Sequence, residues 1–389
     1  MLEAALVAGI LAAGCDALSL GVIPTPGVVF SMQRLGSGLG VQISASHNPV
    51  QDNGIKFMDA NGKLPDETER EIEEIMVKNN LRPAAGGKFG SYTPELADLG
   101  REYELSLARS APDLTGMKTA VDGANGAFRE IAPSVLKRLG AEVSAINCGG
   151  GERINDKCGS THPEAVAKTV MQSMCDVGIA FDGDGDRVQL VDENGSLFCG
   201  DRILCALALH AKAMGEPIDC VVGTVMSNVG LELALRPHGI RLERAPVGDR
   251  YVAELLEKTG APFGGEKSGH IILPKLFPTG DGMLTALQIL KIMKETGRKL
   301  SELTPGYVEY PQLLMNVRCT SGKQRAWADF PEVVRAVREA ESALGDTGRV
   351  VVRASGTEPL FRVMVEGPDP ETVRRLTEDI CEVARMHLS

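Results

Sequence analysis

Three times along the chain a short apolar strand runs into a polar or glycine-rich turn and then a helix, and this recurrence narrows the fold more than any other feature. "MKTAVDGANGAF" (117–128) opens one such unit, and "DCVVGTVMSN" (219–228) running into "VGLELALRPHG" (229–239) opens another. Upstream, an N-terminal helix leads through "ALSLGVIPTPGVVF" to the strand "GVQIS" and a polar loop. Strands alternating with helices are the mark of layered α/β units. No strict sequence period relates the three.

The last stretch reads differently. "PEVVRAVREAESAL" is helical, "RVVVRAS" and "FRVMVEG" are strands, and a final helix follows with Asp369 as its cap and Pro370 at its first position. That order gives a small antiparallel α+β domain. The Pro112–Asp113 pair marks the first boundary, and the chain is expected to divide into residues 1–112, 113–213, 214–310 and 311–389. In the helix "GDRILCALALHAKAM", Asp201 is the expected cap. The polar stretch "LRPAAGGKFG" reads as a loop.

Composition removes several classes. A net charge of −11 argues against a nucleic-acid binder, whose footprint is a basic patch, and against a polybasic membrane-surface protein. Nine scattered cysteines with no C-x-x-C indicate neither a disulfide framework nor a zinc knuckle, and fit reduced thiols in the cytoplasm. "MLEAALVAGILAAG" lacks the basic start of a signal peptide and spaces Leu2, Leu6 and Ile10 at helical intervals, so an amphipathic core helix is expected. No apolar run is long enough to span a membrane.

The chemistry concentrates in four loops. "FDGDGDR" sets Asp182, Asp184 and Asp186 two residues apart directly after an apolar strand. Carboxylates this dense repel one another unless a cation compensates, and hard oxygen donors point to Mg²⁺ or Ca²⁺. Glu193 completes the 1, 3, 5, 12 spacing of an EF-hand, but Arg187 stands where its turn needs glycine, and strands flank the loop. A solvated hairpin turn is the plain alternative. Arg187 beside the acids suggests that an anion meets the metal.

"ISASHNPVQDNGIKF" carries Ser46, His47 and Lys56. Ser46 and His47 are no hydrolase pair, because adjacent side chains of an extended segment point apart. A phosphorylated Ser46 would fill an open position on the metal. "GGEKSGH" offers Glu266, Ser268 and His270, a mix of donors and acceptors suited to sugar hydroxyls. "VGDRYV" upstream adds Asp249 and Arg250. In "RASGTEP", Arg353, Ser355, Gly356 and Thr357 form a phosphate-gripping loop between two strands, with Arg362 on the second. A plain hairpin is its alternative. No G-x-S-x-G, Walker A or G-x-G-x-x-G is present.

Taken together, "SASHNP", "DGDGDR", "GGEKSGH" and "RASGTEP" occur in the order and spacing of the α-D-phosphohexomutase superfamily, which the chain resembles over essentially its whole length. "DNGIKF", "VGDRYV" and "RASGTEPLFRVMVEG" resemble its bacterial phosphoglucosamine mutase branch. The resemblance implies four domains around a central cleft: three related α/β mixed-sheet units and a small, mobile C-terminal α+β domain. It implies that Ser46 is a phosphoserine, and that Asp182, Asp184 and Asp186 bind Mg²⁺ together with its phosphate. His47 and Lys56 would assist proton transfer, Glu266 and Ser268 would hold sugar hydroxyls, and Arg353, Ser355, Gly356 and Thr357 would grip the non-reacting phosphate.

The implied reaction interconverts glucosamine 6-phosphate and glucosamine 1-phosphate through a 1,6-bisphosphate, towards UDP-N-acetylglucosamine, in a cytoplasmic homodimer. A phosphomannomutase or phosphoglucomutase is one alternative, and a non-catalytic sugar-phosphate-binding remnant is another. Two departures stand out. Lys267 occupies a position where the branch usually has glutamine, and the chain begins at the first helix, where the family has a preceding strand and an arginine-bearing "GTDGIRG"-like loop. The first domain is therefore expected to be truncated.

Overall fold

The computed structural model describes residues 1–389 apart from 79–83, 85, 86, 95, 321, 356 and 357, and for residues 66 and 97 the backbone alone. The first unit comprises α1 (Leu2–Ala12), β1 (Ala17–Leu18), α2 (Thr25–Leu35), β2 (Gly40–Ile43), β3 (Ile55–Asp59), β4 (Gly62–Lys63), α3 (Asp66–Lys78), β5 (Tyr92–Thr93) and α4 (Ala97–Arg109). β2, β3 and β4 form an antiparallel sheet in that order, and β1 pairs in parallel with β5. The expected core helix at the N-terminus is corrected. α1 forms, but it is apolar on most of its circumference and buries no residue fully. Leu2, Leu6, Val7, Ile10 and Leu11 are only half-buried. Most of the expected loop at 81–90 lies outside the described residues.

The second unit runs through β6 (Lys118–Asp122), α5 (Phe128–Arg138), β7 (Glu142–Ile146), α6 (Glu164–Ser173), β8 (Val177–Phe181), β9 (Val188–Asp192) and β10 (Leu197–Phe198). Its sheet order is β10-β9-β8-β6-β7, with β6, β7 and β8 parallel and β9 and β10 antiparallel. Every residue of β8 and β9 is buried, as expected of central strands covered on both faces. α7 (Gly200–Ala213) follows, and here the capping expectation fails. Cys199 is the N-cap, while Asp201 lies inside the first turn and its carboxylate accepts the backbone N–H of Asn228.

The third unit contains β11 (Cys220–Thr224), α8 (Val229–Leu235), β12 (Arg241–Ala245), α9 (Asp249–Thr259), β13 (Gly264–Gly265), β14 (Ile271–Ile272) and α10 (Gly282–Thr296), with sheet order β12-β11-β13-β14. One apolar core, from Tyr103 and Phe128 through Ile203 to Leu290, joins α4, α5, α7 and α10 across these units.

The fourth unit has its own core, packed between β15 (Gln312–Arg318), α11 (Pro331–Leu344), β16 (Arg349–Ala354), β17 (Leu360–Glu366) and α12 (Pro370–Leu388). Its antiparallel order is β15-β17-β16. Sequence reasoning found both helices, β16, β17 and the Asp369 cap, which accepts from Thr372. It missed β15, whose side chains do not alternate cleanly between buried and exposed. Among the described residues no helix is long and apolar enough to cross a membrane.

Candidate active site

β8 and β9 are joined by the loop 182–187, which carries the three acids. They are no solvated turn: Asp182, Asp184 and Asp186 are 1%, 1% and 3% exposed, and their carboxylate oxygens approach within 4.8 Å of one another. Gly185 sits at φ +72°, and a Cβ there would meet the Phe128 ring at 2.4 Å. That ring packs against Phe181 at a centroid distance of 4.6 Å and forms an apolar floor under the loop. Burial, reinforced by Asp186 and Asp184, pushes the Asp182 carboxyl well above the usual carboxylate range. Asp186 goes the other way. Against the cost of burial, Lys56, His270 and Arg187 hold it well below.

Ser46 comes from the loop between β2 and β3, held in the left-handed region at φ 56°. Its Oγ donates to Asp182 Oδ2 at 2.8 Å. Lys56, on β3 opposite Gln42, crosses to the same acids, with Nζ 2.5 Å from Asp184 Oδ2 and 3.1 Å from Asp186 Oδ2. Burial opposes the Lys56 charge, but Asp186 and Asp184 together raise its pKa and keep it an ammonium. The three acids thus already hold one cationic group. Among the described residues, Asp184 Oδ1 and Asp186 Oδ1 are buried without a hydrogen-bond partner, so the donor set of hard oxygens still fits a divalent ion.

Arg187 Nη1 contacts His47 Nδ1 at 3.0 Å. A guanidinium only donates, so Nδ1 accepts and the imidazole is neutral in this pairing. Burial and Arg187 also lower the His47 pKa. Thr25, at the start of α2, was missed by sequence reasoning. Its hydroxyl donates to Asp184 Oδ2 at 2.8 Å and its N–H to the Asp184 carbonyl at 2.9 Å. The "PTP" stretch gave the only signal, a proline-flanked helix start.

The loop 264–270 arrives from the third unit. His270, 2% exposed, lies with Nδ1 3.7 Å from Asp186 and Nε2 3.8 Å from Asp249, so it is enclosed between carboxylates. Asp249 is also paired with Lys63 of β4, which ties the first unit to the third. Glu266 accepts the Gly248 N–H at 3.0 Å and the Ser268 hydroxyl at 3.3 Å. Lys267 turns away from the acids to Glu309, at 2.6 Å. Acids, serine, lysine, Arg187 and His270 therefore form one constellation drawn from three units.

Among the described residues, no hydrogen bond or ion pair joins the fourth loop to the acids. Gly356 and Thr357 lie outside the described residues. Ser355 N–H donates to the Leu360 carbonyl, the Ser355 hydroxyl accepts from Arg362 at 3.4 Å, and the Pro359 carbonyl accepts the Cys319 N–H at 2.8 Å. Arg353 and Arg362 are paired across β16 and β17, Arg362 Nη2 lies 3.9 Å from Glu358, and among the described residues Arg362 Nε is buried without a hydrogen-bond partner. Burial and the neighbouring Arg362 lower the Arg353 pKa. Two guanidiniums opposed in this way repel unless an anion sits between them.

Four family models of phosphoglucomutase/phosphomannomutase match the chain: α/β/α domain I at 1–82, domain II at 96–195, domain III at 199–310 and the C-terminal domain at 314–383. The phosphoglucosamine mutase of Heliobacterium modesticaldum is 48% identical over 99% of the chain and 88% of its own length. That of Thermus thermophilus is 49% identical over 98% and 85%. Among solved structures, a phosphoglucomutase/phosphomannomutase family protein of Burkholderia thailandensis aligns with a TM-score of 0.80 at 22% identity, covering 99% of this chain and 86% of its own. Aspergillus fumigatus N-acetylphosphoglucosamine mutase, in complex with GlcNAc-6P and magnesium, aligns with a TM-score of 0.71 at 17% identity, covering 99% and 94%.

Proposed function

The chain belongs to the phosphoglucosamine mutase family of phosphohexomutases, and from that premise we propose that its cleft interconverts glucosamine 6-phosphate and glucosamine 1-phosphate with Ser46 as the phosphoryl carrier. It is an intramolecular phosphotransferase. The observation that carries the role of Ser46 is its Oγ, 2.8 Å from Asp182 at the head of three buried acids.

Phosphoryl transfer asks a protein mainly for positioning and charge neutralisation. Asp182, Asp184, Asp186 and an oxygen of Ser46 would hold a divalent ion, Mg²⁺ by the hardness of the donors. When bound, it neutralises the phosphoryl oxygens. In the forward direction the sugar O1 attacks the phosphorus of phospho-Ser46. The P–Oγ bond breaks, a P–O1 bond forms, and the proton lost from O1 is matched by the one that the departing Ser46 Oγ takes up. The resulting 1,6-bisphosphate turns around, and its 6-phosphoryl passes to Ser46 Oγ, which releases glucosamine 1-phosphate. Lys56 and Arg187 sit where charge accumulates, and the neutral His47 orients the loop. Arg353, Ser355 and Arg362, with Gly356 and Thr357, take the phosphate that is not reacting. Glu266 and Ser268 take sugar hydroxyls. A cytoplasmic setting fits nine free thiols.

The test is the intact mass of the protein before and after glucosamine 1,6-bisphosphate, followed by a coupled assay on glucosamine, glucose and mannose 6-phosphates. A phosphoryl increment on wild type but not on Ser46→Ala is expected, with turnover lost in the variant. Substantial turnover by Ser46→Ala overturns the carrier role. A preference for glucose or mannose exceeding about tenfold, or about 1.4 kcal/mol at the transition state, overturns the amino-sugar assignment.

A further inference from the structure

The loop "NCGGGERINDKCGSTHPE", between β7 and α6, supplies no group to the acids, yet it reaches the serine. Asn155 Nδ2 donates to the Ser46 carbonyl at 2.8 Å and to the Asn48 carbonyl at 2.9 Å. Both hydrogens of its amide are thereby committed. We infer that Asn155 is a positioning residue for phosphoryl transfer, holding Ser46 in the backbone geometry that presents Oγ to the cleft. This rests on the mutase reading given above.

Three observations converge on it. Ser46 occupies a left-handed conformation, which a serine keeps only when its surroundings fix it. Its N–H donates to Ser44 Oγ at 2.9 Å, its carbonyl is taken by Asn155 and its Oγ by Asp182, so every polar atom of the residue is held. Next, the close approach has been built in. A Cβ on Gly183 would meet the Ser46 carbonyl at 2.6 Å and Asn155 Nδ2 at 2.9 Å, so glycine there makes room for the clamp.

Third, Asn155 is itself anchored. It is 8% exposed, and its N–H donates to the Ala124 carbonyl at 3.0 Å. Asp122, at the end of β6, accepts from Gly159 N–H at 3.0 Å and from Asn147 Nδ2 at 2.9 Å. Asn125 donates to the Arg153 carbonyl at 3.1 Å and accepts the Gly149 N–H at 3.0 Å. The second unit thus builds a rigid bracket on β6 whose end grips the nucleophile loop of the first.

Asn155 has φ 58°, so Asn155→Gly keeps the backbone conformation while deleting both donors. With glucosamine 6-phosphate and glucose 1,6-bisphosphate, the variant is expected to lose about 10- to 100-fold in kcat with KM within about threefold, because a misplaced nucleophile reacts slowly while the sugar still binds. Hydrogen exchange of peptides spanning residues 43–50 is expected to accelerate, a readout independent of which sugar is turned over. Unchanged kcat, or a rise in KM alone, overturns the proposal, as does unchanged exchange.

If wild type fails to turn over any hexose phosphate, the mutase reading falls, while the exchange result still decides the clamp. Should the glycine variant melt early, Asn155→Asp keeps the shape and turns a carboxylate towards two carbonyls. It is expected to show the same kcat-only loss, and wild-type kcat there overturns the role of the donors.

Discussion

Lys267 Nζ lies 2.6 Å from Glu309 Oε1, and this pair links the loop 264–270 to the segment that leads into the fourth unit. Both side chains are partly exposed, at 30% and 46%, and Tyr307 and Gln312 also reach the pair. Lys267→Gln is expected to leave the fold intact and raise KM for glucosamine 6-phosphate up to about fivefold, the equivalent of about 1 kcal/mol for such a pair. Steady-state kinetics of Lys267→Gln, Glu309→Gln and the double variant check it. If the two single effects simply add, the pair is not coupled.

Three carboxylates buried around one ammonium suit a further cation at this cleft. Mg²⁺ is expected to raise the melting temperature and to be required for turnover, with chelation abolishing it reversibly. At an ion concentration 100 times its Kd, the stabilisation is about 2.7 kcal/mol. Asp184→Asn alters the proposed ligand, which also accepts from Thr25 and Lys56, and should eliminate most of the thermal shift. A full shift in that variant would place the ion elsewhere.

Arg353 and Arg362 stand opposite each other on β16 and β17, with Glu358 3.9 Å from the Arg362 guanidinium. Inorganic phosphate is expected to protect wild type against heating more than Arg353→Ala. The variant should also raise KM by about tenfold or more, since a charge-assisted phosphate contact is worth about 1.5–3 kcal/mol. Equal protection of both proteins contradicts a phosphate site at this hairpin.

Asp281 caps α10 and accepts the Tyr103 hydroxyl at 2.7 Å, completely buried. Burial pushes its carboxyl up to about 6, against hydrogen bonds from Leu284 and Tyr103. Its folded pKa is therefore above the unfolded value of about 3.9, so the native state binds the extra proton. The favourable contribution is complete below about pH 4 and is lost as pH rises through about 6. Asp281→Asn keeps the cap without the charge, so its stability advantage over wild type should grow between pH 4 and pH 6.5 and then level off. Urea unfolding across that range measures it, and a constant difference refutes the ionisation.

The acids and the serine were legible because each sits in a short segment whose chemistry is contiguous: 182, 184 and 186 on one turn, 46 to 56 on one hairpin. Thr25 and Asn155 were not. Their partners are 159 and 109 residues away, and nothing local to threonine or asparagine announces a distant carboxylate or carbonyl. The helix–strand alternation was readable where apolar strands such as 177–181 have one buried environment, but not at β15, whose burial is irregular. Asp201 misled for a related reason. An acid near a helix start reads as a cap, whereas its actual partner, the N–H of Asn228, lies 27 residues further along the chain. α1 misled because regular apolar spacing reports a helix without saying whether neighbours cover it.

At the centre of the molecule the backbone of Gly183 is pressed from both sides, with the Ser46 carbonyl against its Cα hydrogens and Gly126 against its own carbonyl. A side chain added at either glycine would strike main chain, which cannot swing aside. Gly183→Ala or Gly126→Ala therefore has to move main chain to fit, and the nucleophile loop of the first unit would shift with it.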